Sequence, residues 1–359
     1  MSTTIFTPGR TELSGNHTDH QQGRILASAV DVGLTALVEK GSGNKAVIES
    51  AGFAPFEAEI DSLSILPEDY GTSRALMRGM LACFRENGLE IGPFSAKVTS
   101  TLPSGSGLSS SAAFSVMVGR ILNELYNGGM ADPVFIARAA QYAENNYFGK
   151  PCGLMDQLAC SLGHAVYVDF RTMEIDPILA DFGAMGLALC LANTGGSHAG
   201  LDDAYASIRI EMDAIAARFG KKVLRDVDPD EFFAKGWSLA ERPVRRAKHF
   251  FEENARVPLM RDALRSGNGE EYMRLMNASG RSSENQLENI VAAGAGDTKL
   301  AEGLELSAKL LEGKGAWRVH GGGFAGCVQA LMPPDYFPFY KQEMEKVFGP
   351  GTCRELKLV

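Results

Sequence analysis

Apolar and polar positions along the chain switch between a period of two and a period near three and a half, and the switches mark its elements. In 94–102, FSAKVTSTL, the residues Phe94, Ala96, Val98 and Leu102 share one face, which predicts a half-buried strand. The stretch 29–39, AVDVGLTALVE, also reads as a strand. Beyond PSGSGLSSSAA, the residues Phe114, Met117, Val118, Ile121, Leu122 and Leu125 follow helical spacing. Asp132 before Pro133 predicts an N-cap with proline at the first helical position. That helix carries Ile136, Ala139, Ala140, Ala143 and Tyr147 on one face and stops at Gly149 and Pro151. CGLMDQLACSLG predicts a short helix with Leu154, Leu158 and Leu162 stacked and Gly163 at its end, followed by the strand AVYVDF.

After about residue 180 the alternation resumes with the strand LALCLANTG and a helix from about Asp202 to Phe219. Charged helices fill 229–313, and AWRVHGGGFAGCVQALM reads as strand, glycine loop, strand. A last helix is expected around 335–348. Strands and helices interleave throughout, so the expected class is α/β or α+β in two lobes. A chain of 359 residues exceeds what one core usually serves. The expected division is 1–180 and 181–359.

Composition narrows the partners. A formal net charge of −9 argues against nucleic acid or an anionic membrane, yet leaves room for an anionic small molecule in a locally positive pocket. Six scattered cysteines with no CxxC pair suit reduced thiols, not a disulfide framework. The opening MSTTIFTPGR has no basic region followed by an apolar run, and no apolar stretch reaches the roughly 18–20 residues of a membrane span. The expectation is a cytoplasmic protein, a monomer or weak dimer.

Three stretches carry candidate chemistry. In LPSGSGLSSSAA (102–113), Gly105 and Gly107 let the backbone approach a ligand, and the serines open a helix whose free N–H groups attract anions. It is not a Walker A loop, because no Gly-Lys-Ser/Thr follows. A flexible linker or plain cap would read similarly, but the position between a strand and a helix favours the anion site. HGGGFAGCVQ (320–329) suggests a loop pressed against a ligand or against another backbone. AENNYFGKPCGLMDQ (143–157) places Glu144 near one helix end and Asp156 in the next helix, where the two could serve a metal and a proton transfer. A fourth stretch, GRTELSGNHTDHQQG (9–23), is densely polar around Leu13; zinc there would need better ligand spacing and a third or fourth ligand.

Taken in order, these stretches resemble the motifs of the GHMP kinases, and among them galactokinases most. GRTELSGNHTDH is similar to the galactokinase opening Gly-Arg-x-Asn-Leu-x-Gly-Glu-His-Thr-Asp-Tyr, GSGLSSSAA to the phosphate-binding motif, PCGLMDQ to the catalytic-aspartate segment, and GGGFAGC to the third motif. HAGLDDAY (198–205) is a fainter echo of a sugar-side segment. The resemblance implies an α+β fold with an N-terminal lobe like a ribosomal-protein-S5 domain and a C-terminal ferredoxin-like lobe. It implies an ATP-dependent sugar 1-kinase of galactokinase type, with the site in the cleft.

The same resemblance implies Asp156 as the base and Arg10 as its orienting cation. Backbone and hydroxyls of Gly105, Ser106, Gly107, Leu108, Ser109, Ser110 and Ser111 would hold the ATP phosphates, and Ser110 or Ser111 with Glu144 would hold Mg²⁺. Asn16, His17, Asp19, His20, Tyr205 and Gly322 would surround the sugar. A loop of carboxylate, imidazole and amide groups suits the donors and acceptors of a polyol.

Three positions depart from the galactokinase pattern: Glu12 stands for Asn, Asn16 for Glu and His20 for Tyr. A neutral Asn16 removes a charge that would repel a C6 carboxylate, so galacturonate is the alternative substrate. A non-catalytic sugar sensor is the other alternative, opposed by the intact SSSAA, Glu144, Asp156 and Arg10. Mevalonate- or homoserine-type kinases do not carry HTDH at this point.

Overall fold

The computed structural model describes residues 2–103, 107–150, 152–196, 200–292, 294 and 296–359. Gly105, Ser106, Pro151 and His198 of the sequence reading lie outside the described residues. In chain order the first half comprises β1 (Thr3–Ser14), β2 (Arg24–Lys40), β3 (Lys45–Ser50), β4 (Phe56–Glu59), α1 (Ser73–Glu86), β5 (Phe94–Ser100), α2 (Ser110–Tyr126), α3 (Pro133–Tyr142), α4 (Met155–Leu162), β6 (Val166–Asp169) and β7 (Glu174–Pro177). The second half comprises β8 (Ala188–Asn193), α5 (Asp202–Ala217), α6 (Pro229–Ala234), α7 (Arg242–Arg265), α8 (Gly269–Ser282), α9 (Lys299–Leu311), β9 (Ala316–His320), β10 (Cys327–Met332), α10 (Phe337–Phe348) and β11 (Cys353–Leu356).

The seven strands of the first half form one mixed sheet in the order β4-β3-β5-β2-β6-β7, with β1 paired to β2. The long β2 is shared: β1 runs antiparallel to it from Thr3 to Ser14, while β5 pairs with its second half and β6 with its first. Helices α1 to α4 bury the face that includes Phe94, Ala96 and Val98, the residues whose alternation predicted β5. Asp132 caps α3 as expected, accepting from the amides of Val134 and Phe135. Such a cap contributes about 1 kcal/mol.

The second sheet, β11-β8-β10-β9, is antiparallel throughout. One core joins the halves: Leu13, Leu26, Val30 and Leu108 pack in the same cluster as Leu189, Met260, Tyr272 and Leu331. Backbone bonds from Asp31 N to Lys357 O and from Val359 N to Ala29 O add a direct tie.

Two features depart from the sequence reading. The polar opening stretch was expected to precede the first strand, yet residues 9–14 are the end of β1, and Pro8 to Ser14 are all buried. They face the second half of the chain, where long-range hydrogen bonds replace the apolar contacts a local pattern looks for. The helix begun at Pro133 changes at Ala143 into a π-helical turn that runs to Phe148, before Gly149 in left-handed conformation ends it. A second π turn, Ser283–Leu287, extends α8. Such turns often occur where a helix must aim side chains at a site. Here the two turns present Glu144 and Ser283.

Candidate active site

Arg10 projects from the buried end of β1, and its Nε donates to Asp156 Oδ1 at 2.7 Å. The same guanidinium donates through Nη1 to the carbonyl of Gly107 at 2.7 Å. The Arg10 amide donates to the carbonyl of Leu108 at 3.2 Å, so strand and glycine–serine loop are bonded twice.

Asp156 lies in the first turn of α4. Its second oxygen accepts from Ser109 Oγ at 2.5 Å. Ser109 precedes α2 with φ of 57° and makes no cap bond to its own helix, which frees its hydroxyl for Asp156. Burial raises the Asp156 carboxyl, but Arg10, Ser109 and Lys150 outweigh it and hold it below the usual carboxylate range. It is ionised at neutral pH.

Glu144 is 2% exposed, and its Oε1 is buried with no hydrogen-bond partner among the described residues. Burial pushes its carboxyl up; Lys150 and hydrogen bonds from Ser111 and Gln157 oppose that. Ser110 opens α2 and is exposed, Ser111 is half-buried beside Glu144, and Leu108 turns its side chain into the shared core. Of the phosphate-loop residues named from sequence, Leu108 therefore offers backbone only, and the Ser109 hydroxyl is committed to Asp156.

Behind this cluster the polar loop is wired internally. His17, at φ of 56°, donates from Nε2 to the Gly322 carbonyl at 3.0 Å. Its Nδ1 then accepts from His20 Nε2 at 3.4 Å, and His20 Nδ1 accepts from Gln21 Nε2 at 3.5 Å. Gln21 Nε2 also donates to Asp213 at 2.7 Å. This chain requires both imidazoles neutral, in accord with burial lowering His17 to about 4 and His20 well below its ordinary value. No nitrogen of His17 is left for a metal.

Asn16 is 1% exposed, and its amide is saturated. Nδ2 donates to the Gly321 carbonyl at 2.6 Å and to the Glu12 carboxylate at 3.3 Å, while Oδ1 accepts from Ser283 at 3.2 Å and Asn289 at 3.0 Å. An amide has two donors and one oxygen with two lone pairs, and all are used. In this structure Asn16 and His17 both tie the opening loop to 321–322.

Asp19 is the half-buried member of the loop whose carboxylate is least engaged. Its Oδ1 accepts from the His20 amide at 2.9 Å, and Oδ2 lies over Gly153, where an added Cβ would sit 1.7 Å away. Burial and the nearby Asp156 raise its carboxyl to about 6. Gly153→Ala must displace Asp19. Losing one hydrogen bond to a charged group costs about 1.5–3 kcal/mol, so the sugar KM should rise about tenfold or more with the ATP KM unchanged. An unchanged sugar KM in steady-state assays would show that Asp19 does not contact the sugar.

Tyr205 packs on the third glycine stretch. Its hydroxyl donates to the Gly323 carbonyl at 2.7 Å, and its ring meets Phe324 edge-on at 5.4 Å. A Cβ on Gly322 would lie 2.7 Å from that ring, so glycine is what lets the loop pass.

Sequence reasoning missed the supports beneath these residues. Arg318, on β9, forms a buried ion pair with Glu12 and bonds Gln329 at 3.2 Å and Ser279 at 3.1 Å. Gln329 in turn donates to Thr11 at 2.9 Å and to the Glu12 carbonyl at 2.8 Å. The outward edge of β1 is thus covered by side chains of the second sheet. A signal existed: Arg318, His320 and Gln329 interrupt otherwise apolar strands.

Residues 2–40 match the galactokinase galactose-binding signature, and residues 75–164 match the GHMP kinases N terminal domain. The fold matches Lactococcus lactis galactokinase, solved with galactose, at a TM-score of 0.86 and 24% identity, over 99% of this chain and 93% of that one. Methanococcus jannaschii mevalonate kinase matches at 0.70 and 14% identity, over 100% and 99% of the two chains. Streptococcus pneumoniae phosphomevalonate kinase, solved with phosphomevalonate and AMPPNP, matches at 0.66 and 13%, over 99% and 100%. The chain has the GHMP kinase fold and carries that family's N-terminal domain. The match over 2–40 makes this segment similar to the galactose-binding signature of galactokinases, which are phosphotransferases with an alcohol group as acceptor. GHMP kinases use ATP.

Proposed function

We propose that the chain transfers the γ-phosphoryl of Mg-ATP to the anomeric hydroxyl of galactose. One observation carries the reading: the Arg10–Asp156–Ser109 cluster lies directly against Gly107 and Leu108, where the glycine–serine loop meets β1. A base, a cation and an anion-binding loop then converge on one point. The division at about residue 180 belongs to the same reading. The first part supplies those groups and the second supplies Tyr205 and the 320–326 loop.

Asp156 receives the proton of the anomeric hydroxyl. Its lowered pKa suits a loose transition state, in which the nucleophile's proton leaves late and little basicity is required. Arg10 fixes the carboxylate and offsets charge on the moving phosphoryl. Magnesium fits the unpartnered Oε1 of Glu144 with Ser111 beside it. Ser111 and Glu144, with Ser110 at the helix opening, would hold the ion, and phosphate oxygens would complete its shell. Bound there, it would neutralise phosphate charge.

Charge favours a neutral hexose over a hexuronate. Arg10 and Arg318 are each paired with a carboxylate, Asp156 and Glu12, and both loop histidines are held neutral. Asp19, whose carboxylate has no cationic partner among the described residues, would repel a C6 carboxylate once ionised. The saturated Asn16 does not relieve that repulsion.

The test is ADP release with Mg-ATP and a panel of galactose, galacturonate, N-acetylgalactosamine and arabinose. Turnover on galactose with little on galacturonate is expected. Preference for galacturonate would overturn the charge argument, and ATP binding with no turnover on any sugar would favour the sensor.

A further inference from the structure

His320 is the last residue of β9, opposite Cys327 on β10, and only 3% exposed. Its two ring nitrogens have different surroundings. Nε2 receives the backbone amide of Glu12 at 3.3 Å and lies 3.1 Å from Thr11 Oγ1. A backbone N–H can only donate, so Nε2 is the acceptor. Thr11 Oγ1 already accepts from Gln329, which leaves its hydrogen free to point at the same nitrogen. Nδ1 therefore carries the ring proton.

That Nδ1–H is buried and has no hydrogen-bond partner among the described residues. An unmet buried donor is costly and calls for an explanation. Its position supplies one: the nearest atom to a Cβ built on Gly107 is His320 Nδ1, at 3.1 Å. The nitrogen lies beside the loop that Arg10 grips through the Gly107 carbonyl. Protonation of Nε2 is opposed, since burial, Arg10 and Arg318 outweigh Asp156 and hold the imidazole well below its ordinary value. A fixed neutral donor beside an anion loop adds a hydrogen bond without attracting a buried counter-ion.

We propose that His320 Nδ1–H is a phosphate-contacting donor of the nucleotide site, delivered to the glycine–serine loop from the second sheet. The inference rests on the reading of 107–111 as the phosphate-binding loop. It makes the nucleotide site a joint product of both sheets, with Thr11 and Glu12 holding the tautomer.

Two variants separate the ring's two edges. An asparagine amide reaches about as far as Nδ1, and a glutamine amide about as far as Nε2. His320→Gln keeps a group for Glu12 N–H and loses the Nδ1 donor, so it should raise the KM for Mg-ATP about tenfold or more with thermal stability near wild type. His320→Asn keeps the donor and abandons Glu12, so it should lose stability while its ATP KM rises less. In imidazole-¹⁵N-labelled protein, the His320 Nδ1–H resonance should shift on adding AMPPNP. Equal ATP KM values in wild type and His320→Gln, or an Nδ1 resonance that AMPPNP leaves in place, would overturn the proposal. Wild-type protein that binds no Mg-ATP would instead overturn the kinase reading, and this inference with it.

Discussion

Asp156→Asn is expected to lower kcat by about 10²–10⁴-fold while ATP affinity stays within a few-fold of wild type. The substitution keeps the size of the side chain and its place between Arg10 and Ser109. It removes the proton acceptor and the charge that fixes the Arg10 guanidinium. Single-turnover rates and calorimetric ATP titration measure the two effects separately, and a variant that keeps most of its rate would remove Asp156 from the chemistry. The wild-type pH profile gives an independent reading. Asp156 sits below the usual carboxylate range, whereas Asp19 is raised to about 6. Because the raised group ionises only as pH climbs through 6, kcat/KM for the sugar should increase across that interval. Asp19→Asn should abolish that limb, and Asp156 should play no part in it.

Removing Arg318 should produce the largest loss of stability. Its guanidinium is 1% exposed and meets the Glu12 carboxylate, Gln329 and Ser279, with Glu253 at 4.0 Å. Breaking one side of a buried ion pair leaves the other charge stranded and costs about 3–5 kcal/mol. Arg318→Met should show a loss of that size in urea unfolding. The double variant Glu12→Gln/Arg318→Met should recover a large part of it, since no charge is then left unpaired. Strictly additive losses would mean that the two residues are not coupled. The sugar loop should also loosen in the single variant, because Asn16 bonds to Glu12.

Much of the fold was legible along the chain. The alternation in 94–102, the helical spacing after Ser110, the Asp132–Pro133 cap and the Gly163 stop all act within a few residues, and each appears where expected. The glycine–serine and HGGGFAGC loops were visible as well, since glycine records a backbone demand at its own position. The end of β1 was not legible, because a run such as GRTELS looks solvated by any local measure. It is buried only because Arg318, His320 and Gln329 reach it from the far end of the chain. The hydrogen-bond partners of Asn16 and His17 were not legible for the same reason: a polar side chain shows which bonds it can make, not which partners will fill them.

The sequence by itself determined the element types, the order of the polar motifs and the residue kinds available for phosphate and sugar chemistry, because periodicity, capping and glycine placement are local. The tertiary structure decided which of those polar groups are spent holding the loops together and which remain free. Asp156 is held by Arg10 and Ser109, Asn16 and His17 bind the backbone of 321–322, and His320 keeps a donor with no partner among the described residues. Hydrogen-bond capacity is finite, and in a buried site it is allotted by contacts between segments distant in sequence.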